Sequence, residues 1–127
     1  MSENRLPHNH FDAHNLTELT AHLDKTQDFQ TVSEVFRQLS DPNRVRIFWL
    51  LCHREECVIN IASLVKMQTP AVSHHLRQLK TGSLIVSRRE GKEVYYKVAD
   101  TRAASLLHHA IEQMMTITCP KLGGKSL

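Results

Sequence analysis

VINIASLVKMQTPAVSHHLRQLKTGSLIVSRREGKEVYYKV, residues 58–98, changes its hydrophobic period once, and that change decides the fold. Val58, Ile61, Ala62 and Val65 recur at i, i+3, i+4 and i+7, the apolar face of a short helix. Lys66-Met67-Gln68-Thr69 interrupts the pattern. Thr69 as a cap, Pro70 at the first helical position and Gly82 as a stop then bound a second helix. Beyond Gly82 the period drops from about 3.6 residues to about 2. Leu84-Ile85-Val86 and Val94-Tyr95-Tyr96-Lys97-Val98 form two strands joined through Arg89-Glu90-Gly91-Lys92. Helix, tight break, helix and basic hairpin, in that order, make a winged helix-turn-helix. The expected class is mainly α with a small β-hairpin (α+β).

Val72, Leu76 and Leu79 form a narrow stripe on the second helix that must face the core, which turns Pro70, Ser73, His74, Arg77 and Thr81 outward. Those are short polar groups, an imidazole and a guanidinium, the types that reach base edges and phosphates in a major groove. Gln68 and Thr69 stand where free N–H groups at a helix N-terminus suit phosphate. Arg88, Arg89 and Lys92 are expected at the hairpin tip, following the neighbouring groove. The candidate DNA-contacting set is therefore Gln68, Thr69, Ser73, His74, Arg77, Arg88, Arg89 and Lys92. One such reader makes too few contacts for specific affinity. A homodimer on double-stranded operator DNA is expected, with half-sites about one helical turn (~34 Å) apart.

The flanks complete a single domain. Residues 1–14 are polar and carry His8, His10 and His14, the composition of an arm. A domain over 15–118 follows, then a loose tail over 119–127. Asn15 can cap a helix bearing Leu16, Leu19 and Leu23, and Thr26-Gln27-Asp28 is expected to break it. Phe29, Val32, Phe36 and Leu39 mark a second helix. Asp41-Pro42 is a cap and a first helical residue for a third, Asn43 to about Arg54. A last amphipathic helix carries Ala103, Leu106, Leu107, Ala110, Ile111 and Met114, and Cys119-Pro120 ends it. The terminal helices are the expected dimer surface.

Composition agrees with this class. A length of 127 residues fits one core, and the net charge of +3 is compatible with a nucleic-acid partner without requiring one. No apolar run approaches the ~20 residues of a membrane span, and the N-terminus has no apolar export segment, so a cytoplasmic protein without membrane contact is expected. Three cysteines are no disulfide framework there. HExxH, GxSxG, phosphate-loop and CxxC motifs are absent. A metal-dependent enzyme is the reading from another class, but a winged helix of this length leaves no pocket to spare.

LSDPNRVRIFWLL (39–51), TPAVSHHLRQLKTGSLIV (69–86) and RREGKEVYYKVAD (88–100) resemble the ArsR/SmtB family of bacterial repressors, over roughly residues 28–118. The resemblance implies a homodimeric repressor that leaves its operator when an inducer binds, either a metal ion or a thiol-reactive species. One family metal site, on the last helix, would fall on Asp100, Arg102, Gln113 and Thr116. Only the Asp fits it, so that site is absent. His108 and His109, adjacent on one helix, point about 100° apart and read as a surface or interface pair.

A second family site joins the arm of one subunit to a core cysteine of the other. The resemblance places it on His10 and His14, spaced i, i+4, and on Cys57 in Glu-Glu-Cys57-Val-Ile-Asn60. Asn60 stands where the family has an Asp ligand, and Ile59 where some members have a second Cys. Water or His8 would have to complete a tetrahedron. Two imidazoles and a thiolate suit Zn2+ or another thiophilic or borderline ion. The alternative inducer is a redox or reactive-sulfur species acting on Cys52 and Cys119, and a non-switching architectural DNA binder is the remaining rival.

Overall fold

The computed structural model describes residues 6–8 and 16–118. Its elements run α1 (Leu16–Leu23), α2 (Thr26–Gln38), α3 (Pro42–His53), β1 (Glu56–Cys57), α4 (Val58–Val65), α5 (Thr69–Thr81), β2 (Ile85–Glu90), β3 (Glu93–Val98) and α6 (Arg102–Thr118). Two units divide between Val35 and Phe36. In the first, α1 and the opening turns of α2 bury nothing, and Leu19, Leu23, Phe29 and Val32 are each about half exposed. The break between these helices falls at Asp24-Lys25 rather than at Thr26-Gln27-Asp28. Residues 26–28 form the first turn of α2, where Asp28 faces the positive end of the helix dipole.

The second unit holds the core. Ile47, Phe48 and Leu51 of α3 meet Ile61 and Val65 of α4, Val72, Leu76 and Leu79 of α5, Leu84 and Ile85, and Ala104 and Ile111 of α6. The expected stripe on α5 is thus fully enclosed. His75 shares that buried face, a position that the stripe of aliphatic residues alone did not include.

Caps set the helix ends. Asp41 accepts hydrogen bonds from the backbone N–H groups of Asn43 (2.8 Å) and Arg44 (3.1 Å), and Pro42 opens α3. Those backbone donors lower the pKa of Asp41: the N–H of Arg44 is the largest influence, and it outweighs the opposing effect of desolvation. At α5 the cap is Gln68, without a side-chain bond, and Thr69 is the first helical residue instead of the cap. Ala104 N–H donates to Thr101 Oγ1 (3.1 Å) to start α6.

The hairpin is longer than its apolar runs because charged residues extend both strands to a two-residue loop, Gly91-Lys92. Its register pairs Glu90 with Glu93 and Ile85 with Val98. Gly91 has φ +64°, the left-handed backbone that favours glycine at the first loop position of this hairpin type. A third strand, β1, lies on the other side of β3 and pairs Glu56 with Tyr96 and Cys57 with Tyr95, giving the antiparallel order β1-β3-β2. The architecture is a winged helix-turn-helix, α4 and α5 followed by the β2–β3 wing.

The lowered pKa of Asp41 fixes a pH dependence. The native carboxylate resists protonation more than the unfolded one, so its contribution is present above the ordinary aspartate value and is lost as pH falls from there through the lowered native value. Asp41→Ala should lower the urea midpoint at neutral pH, and the gap between variant and parent should close in acid. A gap independent of pH would show that the cap does not act through its charge.

Candidate nucleic-acid interface

α5 shows two chemically different faces. Thr69, Pro70, His74, Arg77 and Thr81 are exposed, Ser73 is half-buried, and Gln68 is exposed at the N-terminal end. His74 and His75 are neighbours with opposite environments: His74 faces solvent, whereas His75 is only 8% exposed. Arg44 Nε donates to His75 Nδ1 at 3.3 Å, which requires the neutral tautomer protonated at Nε2, and that nitrogen lies 3.9 Å from Asp41. Burial lowers the His75 pKa, Asp41 opposes that, and Arg44 and His74 add to it. A neutral His75 therefore anchors the reading helix to the start of α3.

The wing separates its cations. Lys80 Nζ donates to Ser87 Oγ at 2.8 Å, which turns one face of the hairpin toward α5. Arg89, two residues beyond Ser87 and so on that same face, is exposed, as is Lys92 in the loop. Neither has an ion-pair partner among the described residues. Arg88 lies on the opposite face and inside the ladder, across from Tyr95, not at the tip as expected. Its guanidinium makes a bidentate bond to Glu55, 2.8 and 2.9 Å, a further pair with Glu90, and sits 4.9 Å over the Tyr95 ring. Hydrogen bonds to Glu55 and Glu90 raise the Arg88 pKa, and Arg88 in turn holds Glu55 below the usual carboxylate range. Two carboxylates already pair with that guanidinium, which ties β2 to the segment before β1.

The inducer candidates are placed unevenly. His10, His14 and Cys119 lie outside the described residues. Cys57 is half-buried at the N-terminal boundary of α4. Asn60 donates its amide to Glu56 at 2.8 Å, and Glu56 is buried against Arg54 at 2.6 Å, so the Asn60 amide is committed to that carboxylate. Burial, and then the charge of Glu112, push the Cys52 thiol up to about 12, far from the thiolate that redox sensing uses. His108 does not pair with His109 alone. It turns to His53 and Glu112, a convergence that no local spacing signals because His53 comes from another helix. Burial raises the Glu112 carboxyl, but bonds from Trp49 and His108 and then His53 outweigh it and keep it below the ordinary range.

Comparison with known proteins gives this geometry a context. Residues 41–85 match the family described as bacterial regulatory protein, arsR family. The chain is 36% identical over 85 residues to the transcriptional repressor SmtB homolog of Synechocystis sp., covering 67% of this chain and 64% of that one. It is 39% identical over 85 residues to the cadmium resistance transcriptional regulatory protein CadC homolog of Staphylococcus aureus, 66% of this chain and 70% of that one. A homodimeric winged helix-turn-helix DNA-binding domain from Mycobacterium bovis superposes with a TM-score of 0.67 at 26% identity, over 80% of this chain and 94% of that one. NolR from Sinorhizobium fredii shares the fold, with a TM-score of 0.66 at 22% identity over 72% and 90% of the two chains. The SmtB and CadC homologs are named as transcriptional regulators rather than enzymes, and the chain belongs to the ArsR family of bacterial regulatory proteins.

Proposed function

We propose that this protein is a cytoplasmic, dimeric transcriptional repressor that inserts α5 into successive major grooves of a two-fold operator and leaves it when a metal ion binds. The observation that carries the DNA reading is the exposed row Thr69, His74 and Arg77, with half-buried Ser73, on a helix whose other face is locked in the core beside a wing with uncommitted Arg89 and Lys92. Dimerisation is supported by apolar side chains the single chain leaves open: Leu106, Met114 and Ile117 on α6, and, separately, Leu19 and Leu23 on α1. It is supported too by the homodimeric relative. The inducer is Zn2+ or another thiophilic or borderline ion, held by His10 and His14 of one subunit and Cys57 of the other. Its support is the i, i+4 histidine spacing, the imidazole–thiolate chemistry and the cadmium-resistance function named for a relative.

Arg77→Ala and His74→Ala should each weaken operator binding, by about 1–3 kcal/mol where a base contact is lost, with unchanged folding and dimerisation. Normal repression by both would reverse the orientation assigned to α5. The wing is tested through salt. Log affinity should fall steeply with log salt, and Arg89→Ala with Lys92→Ala should flatten the slope by roughly 0.9 for each phosphate contact removed. Arg88→Ala should instead alter wing stability, because its partners are Glu55 and Glu90. The inducer site is tested with Cys57→Ser and with removal of residues 1–14, each titrated with zinc and cadmium on operator DNA. Both should stay bound at metal levels that release the parent. Release at the parent's metal level by either one would exclude the arm site as the switch.

A further inference from the structure

His53, in the last turn of α3, and His108 and Glu112, one turn apart on α6, converge on one point. His53 Nε2, His108 Nε2 and Glu112 Oε2 stand 3.2 Å from one another in all three pairings. With metal–ligand distances of about 2.0–2.1 Å, two atoms on one ion lie about 2.9 Å apart in an octahedron and about 3.4 Å apart in a tetrahedron. The observed spacing falls between these, so the three atoms outline one face of a coordination sphere. Protonated at Nε2, both imidazoles can donate to Glu112 Oε2; deprotonated, the same three atoms direct their lone pairs at one point, where a single cation can take all three.

The surroundings are those of a built site. Trp49, one turn before His53, donates its indole N–H to Glu112 Oε2 at 3.1 Å, and its ring lies 4.4 Å from that of His53. Such an outer donor fixes the direction of a ligating carboxylate. The three ligand side chains are 43%, 26% and 33% exposed, which leaves one side open for ion exchange and for water ligands. We propose that His53, His108 and Glu112 form a second metal site, contained in one subunit, for a first-row divalent transition-metal ion, with Trp49 as a positioning residue. Two imidazoles and one carboxylate without thiolate suit borderline ions such as Zn2+, Co2+ or Ni2+ and do not favour Cu(I). The site is independent of the arm reading: it uses no thiol and no residue before 49. An ion here would pin the end of α3 to the middle of α6.

Co2+ titration of the full-length Cys57→Ser protein tests it. One equivalent per chain should bind, with ligand-field bands and no thiolate-to-cobalt charge transfer. His53→Gln, His108→Gln and Glu112→Gln in that background should each weaken Co2+ binding by more than the about 10–100-fold that a lost outer-sphere partner costs, and Trp49→Phe should fall within that range. Zn2+ should raise the melting temperature of the Cys57→Ser protein and not that of the three ligand variants, whose metal-free melts report folding. No Co2+ bound by the Cys57→Ser protein, or undiminished binding in folded ligand variants, overturns the proposal. Thiolate charge transfer in the parent protein reports the arm site separately, so its absence would remove that reading while leaving this one standing.

Discussion

The short segment Asp41-Pro42-Asn43-Arg44-Val45-Arg46 holds the reading unit together. Asp41 caps α3, Arg44 reaches His75 on α5 and also donates to the Gln38 carbonyl at the end of α2 (3.2 Å), and Arg46 donates to the Val65 carbonyl at the end of α4 (2.9 Å). Orphan groups at three helix ends or starts are thereby satisfied from within six residues of chain. Each guanidinium also fixes a distance, so the angle between α3, α4 and α5 follows from six consecutive residues. His75 must stay neutral for this, since its Nδ1 accepts from Arg44, and burial lowers its pKa in that direction. A protonated His75 would bring two cations together in a nearly enclosed space.

Much of this was legible in the sequence, for an identifiable reason. The stripe Val72, Leu76, Leu79, the stop at Gly82 and the change of period at Leu84 are local signals, and each lies where its pattern placed it. What the pattern missed depends on contacts far apart in the chain. β1 is two residues long and exists only because β3 offers it an open edge. Thr26-Gln27-Asp28 suits both a break and a first helical turn, and only the bonds around Asp24 and Lys25 decide between them. Arg88 has the composition of a phosphate contact, yet Glu55, 33 residues away, claims it. The gathering of His53 with His108 and Glu112 is of the same kind: half of it is an i, i+4 pair on α6 and the other half arrives with α3.

The distribution of exposed apolar surface supports the proposed dimer. The core around Phe48 is complete within one chain, whereas α6 buries Ala104 and Ile111 on one side and leaves Leu106, Met114 and Ile117 open on the other. A single winged helix also presents too few base contacts for specific recognition. In the proposed dimer one association would meet both needs, and apolar burial on α6 would then set the spacing at which two α5 helices meet DNA.

The junction at Cys57 shows why a ligand held there would reach the reading surface. Cys57 pairs with Tyr95 of β3 on one side and directly precedes α4 on the other, so one residue belongs to the wing and to the helix-turn-helix together. Its neighbours are paired: buried Glu56 binds Arg54 and Asn60, and Glu55 binds Arg88 in β2. A force applied at the Cys57 thiol cannot be absorbed by a loop, because among the described residues there is none between β1 and α4. It must instead shift α4 against α5 or tilt the wing, and both change where Arg77 and Arg89 stand relative to one another. An inducer acts only through its differential affinity for two states, typically about 1–3 kcal/mol of coupling. A displacement shared by both halves of the DNA surface is a means by which so small a bias could be felt at every operator contact.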